Sequence, residues 1–157
     1  MNTHQHHNHE HCVGNALEIA ETMCAQNGLR FTKIRRRVLE LVWNSHQAIK
    51  AYDILELLQQ EDASAKPPTA YRALNFLLEH GFIHRIESLN AYIGCPNPEH
   101  IHDFQLLICN QCGQVDEITD PDLMIKLQAY AEASDFKLMS QVIELKGLCK
   151  KCVQVVD

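Results

Sequence analysis

The 157-residue chain has no apolar run approaching the about 20 residues that a bilayer-spanning helix requires. Its first residues, Met1 to His7, hold no basic stretch leading into an apolar one, so no secretory signal is evident. The His-Glu-x-x-His and His-x-Glu signatures of zinc hydrolases and deaminases are missing. No internal repeat is visible. Positive charge is scarce as well: 14 Lys and Arg against 20 Asp and Glu leave a formal net charge of −6, which does not favour nucleic acid over the molecule as a whole. Seven cysteines could suggest a secreted disulfide scaffold, but the odd count and the missing signal point to a reducing cytoplasm. The length suits one medium domain or two small ones.

What is present is more specific. Cys109-Asn-Gln-Cys112 and Cys149-Lys-Lys-Cys152 are two Cys-x-x-Cys pairs, each following a short apolar run. Each pair can place two thiolates on one ion, and four thiolates make the soft tetrahedral set that zinc favours. The spacing predicts two turns at strand ends, stapled together by one zinc. The competing readings are a redox pair or a disulfide.

The charge is unevenly spread. Residues 1–94 hold nine Lys/Arg and ten Asp/Glu, whereas 95–157 hold five and ten. Arg30, Lys33, Arg35, Arg36 and Arg37 form a local basic patch, and local field decides whether DNA can dock.

Residues 1–12, with His4, His6, His7, His9, His11 and Cys12, read as a disordered His-rich tail able at most to chelate metal weakly. A helical pattern starts at Val13, with Ala16, Ile19, Ala20 and Met23 on one face and Asn27-Gly28 as its stop. Thr32 caps a second helix with the stripe Ile34, Val38, Leu41, Val42. A third carries Ala51, Ile54, Leu55 and Leu58. Pro67-Pro68 open a fourth, where Ala70, Leu74, Leu77 and Leu78 face inward and Thr69, Arg72 and Asn75 face out. After Gly81 the period changes to two short strands, Phe82 to Ile86 and Ala91 to Ile93. Helices followed by a hairpin predict a winged helix-turn-helix, whose last helix before the hairpin enters the major groove.

Residues 95–102 read as a hinge. Strands at Phe104–Ile108 and Val115–Ile118 follow, then a helix with Asp120 as N-cap, Pro121 at N1 and the stripe Leu123, Leu127, Tyr130, Ala131. A last strand is expected over Phe136 to Leu145. The fold class is therefore α+β. On this reading a winged-helix DNA-binding domain (13–94), for which a plain small helical domain is the alternative, is followed across the hinge by a small α/β domain (103–157) that can bury little core alone and that dimerisation would help.

A second group of metal-competent side chains lies near the hinge: His84, Cys95, His100, His102 and Glu117. Two imidazoles, a thiolate and a carboxylate would neutralise a divalent cation, whereas four thiolates around zinc leave −2. The mixed site would be the weaker and more reversible one. Each residue also has a plain reading, such as Cys95 as a small buried apolar group.

At this point the residues resemble the ferric uptake regulator superfamily of bacterial metal-sensing repressors, and within it most closely the zinc uptake regulator branch. The resemblance runs from about Ala16 to Val153. It is carried by Arg30-Phe-Thr-Lys-Ile-Arg35, Ala51-Tyr52-Asp53, Ala65-Lys-Pro-Pro-Thr-Ala-Tyr-Arg-Ala-Leu74, Phe76-Leu-Leu-Glu-His-Gly-Phe-Ile-His84 and both cysteine pairs. It implies a homodimer that binds an AT-rich inverted repeat in double-stranded DNA when metal-loaded. It implies two Zn²⁺ per monomer, one structural at Cys109, Cys112, Cys149 and Cys152, one regulatory at His84, Cys95, His102 and Glu117. It implies DNA contacts from Tyr52, Thr69, Tyr71 and Arg72, with backbone contacts from Lys33, Arg35 and Arg36. One departure is Lys33-Ile34 where the family often has Pro-Gln; another is His100 beside His102.

A zinc-responsive repressor of zinc-uptake genes is thus the expected function, with no enzymatic activity, membrane association or small-molecule substrate. The alternatives are an iron or other metal sensor of the same family, and a zinc buffer or metallochaperone using the His-rich tail. A thiolate at Cys95 suits zinc better than iron.

Overall fold

A computed structural model describes residues 9–45, 47–99 and 103–154. The chain divides into two compact units between His100 and Ile101. The first comprises α1 (His9–Gln26), α2 (Lys33–Asn44), β1 (Ile49–Lys50), α3 (Ala51–Glu61), α4 (Pro67–Glu79), β2 (Ile83–Ile86) and β3 (Ala91–Gly94). The second comprises β4 (Gln105–Cys109), β5 (Val115–Ile118), α5 (Pro121–Ala133), β6 (Ile143–Gly147) and α6 (Lys150–Val153).

In the first unit the apolar stripes of α2, α3 and α4 converge, and α1 turns Val13, Leu17, Ala20 and Cys24 inward where the spacing pointed to Ala16, Ile19, Ala20 and Met23, leaving Ile19 and Met23 half-buried. Val13, Leu17, Ala20 and Cys24 of α1 meet Val38, Leu39 and Val42 of α2, Ile54 and Leu58 of α3, and Ala73, Leu74 and Leu77 of α4. α1 starts at His9, so the expected tail of residues 1–12 is corrected: its last four residues are helical. A helix anchored by Val13 onward extends at small free-energy cost per residue, because nucleation is already complete. Residues 1–8 lie outside the described residues.

α2 begins at its expected cap. The Thr32 hydroxyl accepts a hydrogen bond from the Arg35 N–H at 3.4 Å, without the first-turn proline of the family pattern. α3 and α4 are joined by a tight turn in which the Asp62 carboxylate accepts from the Ser64 N–H at 2.9 Å. Pro67 and Pro68 occupy the first turn of α4, where a missing N–H is harmless. β2 and β3 form an antiparallel hairpin, turned at Asn90 with φ +48°. β1, too short for any periodic signal, adds a third strand through Ile49 opposite Tyr92. Four helices against a small sheet whose hairpin follows α4 make a winged helix with one added N-terminal helix.

In the second unit β4 is central. It pairs antiparallel with β5 and parallel with β6, and α5 makes the crossover. Asp120 caps α5 as expected, accepting from the Asp122 and Leu123 N–H groups at 3.0 and 3.2 Å. The buried Gln105 side chain accepts from the Asp120 N–H at 3.1 Å and so ties β4 to the start of α5.

Two expectations are corrected here. The last strand is Ile143–Gly147, not Phe136 to Leu145. β4 offers only five residues for pairing, so the chain before Ile143 has no strand to lie against. Within the α5 stripe Leu123, Leu127 and Ala131 are half-buried, but Tyr130 is 75% exposed.

Candidate metal centres and nucleic-acid interface

The register of β4 and β6 builds the four-cysteine cluster. Cys109 stands opposite Gly147, and the Asn110 N–H donates to the Gly147 carbonyl at 2.8 Å, so the two cysteine pairs are delivered side by side. The first pair sits in a tight turn: the Gly113 N–H donates to the Cys109 carbonyl at 3.0 Å, and Gly113 has φ +72°, a conformation glycine adopts freely. The second pair differs from the expected strand-end turn. Cys149 caps the one-turn helix α6 and Cys152 lies within it, buried.

All four sulfurs lie within 4.8 Å of one another, with Cys112 Sγ and Cys149 Sγ 3.7 Å apart. Four sulfurs at about 2.3 Å from one zinc stand about 3.8 Å apart, so the spacing fits a tetrahedral ion. It is far from the about 2.05 Å of a disulfide, and none of the four is disulfide-bonded. Backbone N–H groups of Cys112 and then Cys149 pull the Cys109 thiol down to about 6. Burial, followed by the neighbouring thiols, pushes Cys152 up to about 12. Crowded thiols hold each other protonated, and a divalent cation reverses that balance.

Of the second ligand group, His84 lies on β2 and Cys95 follows β3, held by its N–H donating to the Phe82 carbonyl at 3.0 Å. Within the first unit their ligand atoms lie within 4.8 Å of each other. A nitrogen and a sulfur at about 2.0 and 2.3 Å from one zinc are at most about 4.3 Å apart, so a small inward movement at most would let the pair share an ion. Glu117 lies on β5, opposite Leu106 and half-buried. His100 and His102 fall outside the described residues.

The candidate DNA face is built mainly by α4. Thr69, Tyr71, Arg72 and Asn75 are exposed along it, and Tyr52 is 73% exposed on the first turn of α3. Among the described residues no ion pair engages Arg72 or Lys33. The α2 arginines are less uniform than sequence suggested. The Arg35 guanidinium lies 3.6 Å from the Phe76 ring centroid and donates to the Arg30 carbonyl. Arg36 pairs with Glu21 across an exposed surface. Arg37 donates from Nε and Nη2 to the Glu61 carboxylate, at 2.9 Å and 2.5 Å, and pairs with Glu40 at 2.7 Å. The stacking of Arg35 on Phe76 is a structural role that residue spacing does not reveal.

A winged helix in one unit and a preformed four-thiol cluster in the other are the build of a metal-binding transcription regulator. The chain belongs to the ferric uptake regulator family, whose sequence profile it matches over residues 26–146. Helix α1 up to Ala25 and the second cysteine pair lie outside the matched span. The zinc uptake regulation protein of Escherichia coli (strain K12) is 43% identical over 140 residues, covering 88% of this chain and 82% of that protein. A ferric uptake regulation protein of Cupriavidus metallidurans is 32% identical over 127 residues, covering 79% and 87%. Among solved structures, a zinc uptake regulator complexed with zinc and DNA superimposes with a TM-score of 0.88 at 41% identity, covering 92% of this chain and 97% of that one.

Proposed function

We infer that this chain is a zinc-responsive transcriptional repressor, which binds operator DNA as a zinc-loaded homodimer and represses zinc-uptake genes. The observation that carries the reading is the likeness in sequence and fold to the zinc uptake regulator solved with zinc and DNA. The four sulfurs at tetrahedral spacing support zinc as the metal.

Two zinc ions per monomer are proposed. Cys109, Cys112, Cys149 and Cys152 hold the structural one. It is a closed site without an open coordination position, so it contributes folding energy and not catalysis. His84, Cys95, His102 and Glu117 hold the regulatory one. Zinc bound by these residues favours the conformation that binds DNA, through its difference in affinity for the two states. By linkage, DNA then tightens zinc at this site by the same factor.

On DNA, α4 enters the major groove of an AT-rich inverted repeat, and its exposed Arg72 reads a base edge. Thr69, Tyr71 and Tyr52 line the same contact face. Lys33 and Arg36 serve phosphates, which position without specifying. The homodimer is supported by the surface of the second unit, where Leu107, Ile118, Ile125, Phe136, Met139 and Val142 remain exposed. The protein works in the cytoplasm, where the thiols stay reduced; no helix among the described residues is long and apolar enough to cross a membrane.

An iron-sensing reading is favoured less by the ligand chemistry. A thiolate at Cys95 is softer than an iron site built of oxygen and imidazole. Gel-shift binding to an AT-rich palindrome tests the proposal. Binding should require zinc, vanish with a chelator and return with zinc but not with ferrous iron at equal free concentration. Binding that ignores zinc would contradict it.

A further inference from the structure

Gly94 closes β3 immediately before Cys95, and its φ is not in the left-handed region. Backbone freedom is therefore not why glycine stands there. Space is the reason: a Cβ at position 94 would fall onto the Trp43 indole, 2.7 Å from Cδ2 and nearer still to Cε2 and Nε1. Real side-chain carbons do not approach so closely, and neither β3 nor the bulky ring can yield without a shift.

Trp43 is the chain's one tryptophan and stands in the last turn of α2. Its indole is half-buried and packs against the same core as Val38, Leu39 and Val42 of α2. The ring thus rests on the backbone one residue before Cys95, and β3 pairs with β2 so that Ile93 stands opposite His84. The Cys95 N–H is fixed on the Phe82 carbonyl at 3.0 Å. His84 and Cys95 are therefore carried on a hairpin end that the indole presses from one side.

We propose that Trp43, through its contact with Gly94, is a positioning residue for the regulatory zinc site and sets that site's zinc affinity. It does not touch the metal. It fixes the backbone that aims Cys95, and its indole reports on the site. The inference rests on the assignment of His84 and Cys95 to regulatory zinc. The outer groups that orient metal ligands are typically worth about 10–100-fold in metal affinity. Gly94→Ala should raise the free zinc needed for half-maximal operator binding by about that factor, with the four-cysteine zinc retained. Removing the obstructing ring in Gly94→Ala/Trp43→Leu should relieve the clash and bring the midpoint back only as far as that of Trp43→Leu alone.

The test uses the full chain, buffered free zinc, zinc counted per chain, operator binding and indole fluorescence. In the parent protein, fluorescence should change with the same midpoint as operator binding. In Cys95→Ser that change should disappear while one zinc per chain remains. Trp43→Leu and Trp43→Phe should shift the operator-binding midpoint in proportion to the packing lost, Phe less than Leu. These two variants decide the matter if Gly94→Ala fails to fold. A parental midpoint in both, or fluorescence that stays flat through a zinc-dependent operator transition, would overturn the positioning role. Zinc-dependent binding that survives in Cys95→Ser at the parental midpoint would instead sink the regulatory-site assignment, whatever Trp43 does.

Discussion

Cys109 and Cys152 are both buried and belong to one cluster, yet their thiols are shifted in opposite directions. Backbone N–H groups converge on the Cys109 sulfur, including that of Cys149 at 3.3 Å, and favour its thiolate. Cys152 has burial and three crowding thiols against it. The sign of the pH dependence follows. A pKa lowered on folding, here from 9.0 to about 6, stabilises the metal-free fold fully above the unfolded value, and that stabilisation is lost as pH falls through about 6. Cys152 works the other way: its raised pKa stabilises the fold below 9.0 and is lost as pH rises through about 12. Because the thiolate is the reactive form, within the cluster zinc-stripped protein at pH 7 should be alkylated at Cys109 before Cys152. Peptide mapping at partial labelling checks this, and equal labelling of the two would contradict it. With zinc bound, both should be protected. Cys109→Ser or Cys152→Ser should lose that zinc and weaken self-association, since metal-binding energy here is folding energy. Normal zinc content and unchanged dimerisation in both variants would rule out the structural role.

At the scale of the element, the proposed DNA contacts fall unequally on α2 and α4. Arg72 is exposed on α4, and a bidentate contact to guanine is worth about 1–3 kcal/mol. Arg72→Ala should therefore weaken operator binding by that amount and relax preference at one base position. If it binds operator and scrambled DNA as the parent does, α4 is not the reading helix. On α2, the exposed Arg36–Glu21 pair is worth little and is readily exchanged for a phosphate. Arg36→Ala should reduce the salt slope of binding by about 1. Arg35 is engaged differently. Its stacking on Phe76 joins α2 to α4, an interaction worth about 0.5–2 kcal/mol. Arg35→Ala should thus lower thermal stability and operator affinity together while leaving the salt slope near the parental value. A full unit lost from the slope would make it a phosphate contact after all.

The helices and the hairpin were legible in the sequence because each carries a long stripe and its own stop signals: Thr32 and Asp120 as caps, Pro67-Pro68 at a start, Gly28 and Gly81 at ends. β1 and α6 were not, since two and four residues give no period to read. The run from Phe136 to Val142 was misread for another reason. Its apolar residues look like strand residues, but strand pairing depends on a partner, and β4 ends after five residues. The cysteine cluster was legible from spacing alone. The stacking of Arg35 on Phe76 and of Trp43 against Gly94 was not, because both are contacts between elements distant in sequence.

For the whole molecule, the charge and the apolar surface tell the two units apart. Net negative charge concentrates after residue 94, where ten Asp/Glu face five Lys/Arg, and most of the exposed large apolar side chains lie after residue 100. A second copy of the chain is the proposed cover for that surface. Ile125 on α5 is 67% exposed, and Ile125→Glu should shift the sedimentation equilibrium toward monomer and reduce operator affinity with it. An unchanged dimer would place the interface elsewhere. The central claim is that a reversible zinc, distinct from the four-cysteine one, licenses DNA binding. The most direct measurement is operator affinity across a free-zinc titration, with zinc counted per chain, for the parent and for Cys95→Ser. The parent should hold two zinc ions and bind operator cooperatively with the second. Cys95→Ser should stay folded and dimeric with one zinc and bind no better at any zinc concentration than the parent does without its second ion. A Cys95→Ser protein that responds to zinc at the parental midpoint would contradict the account.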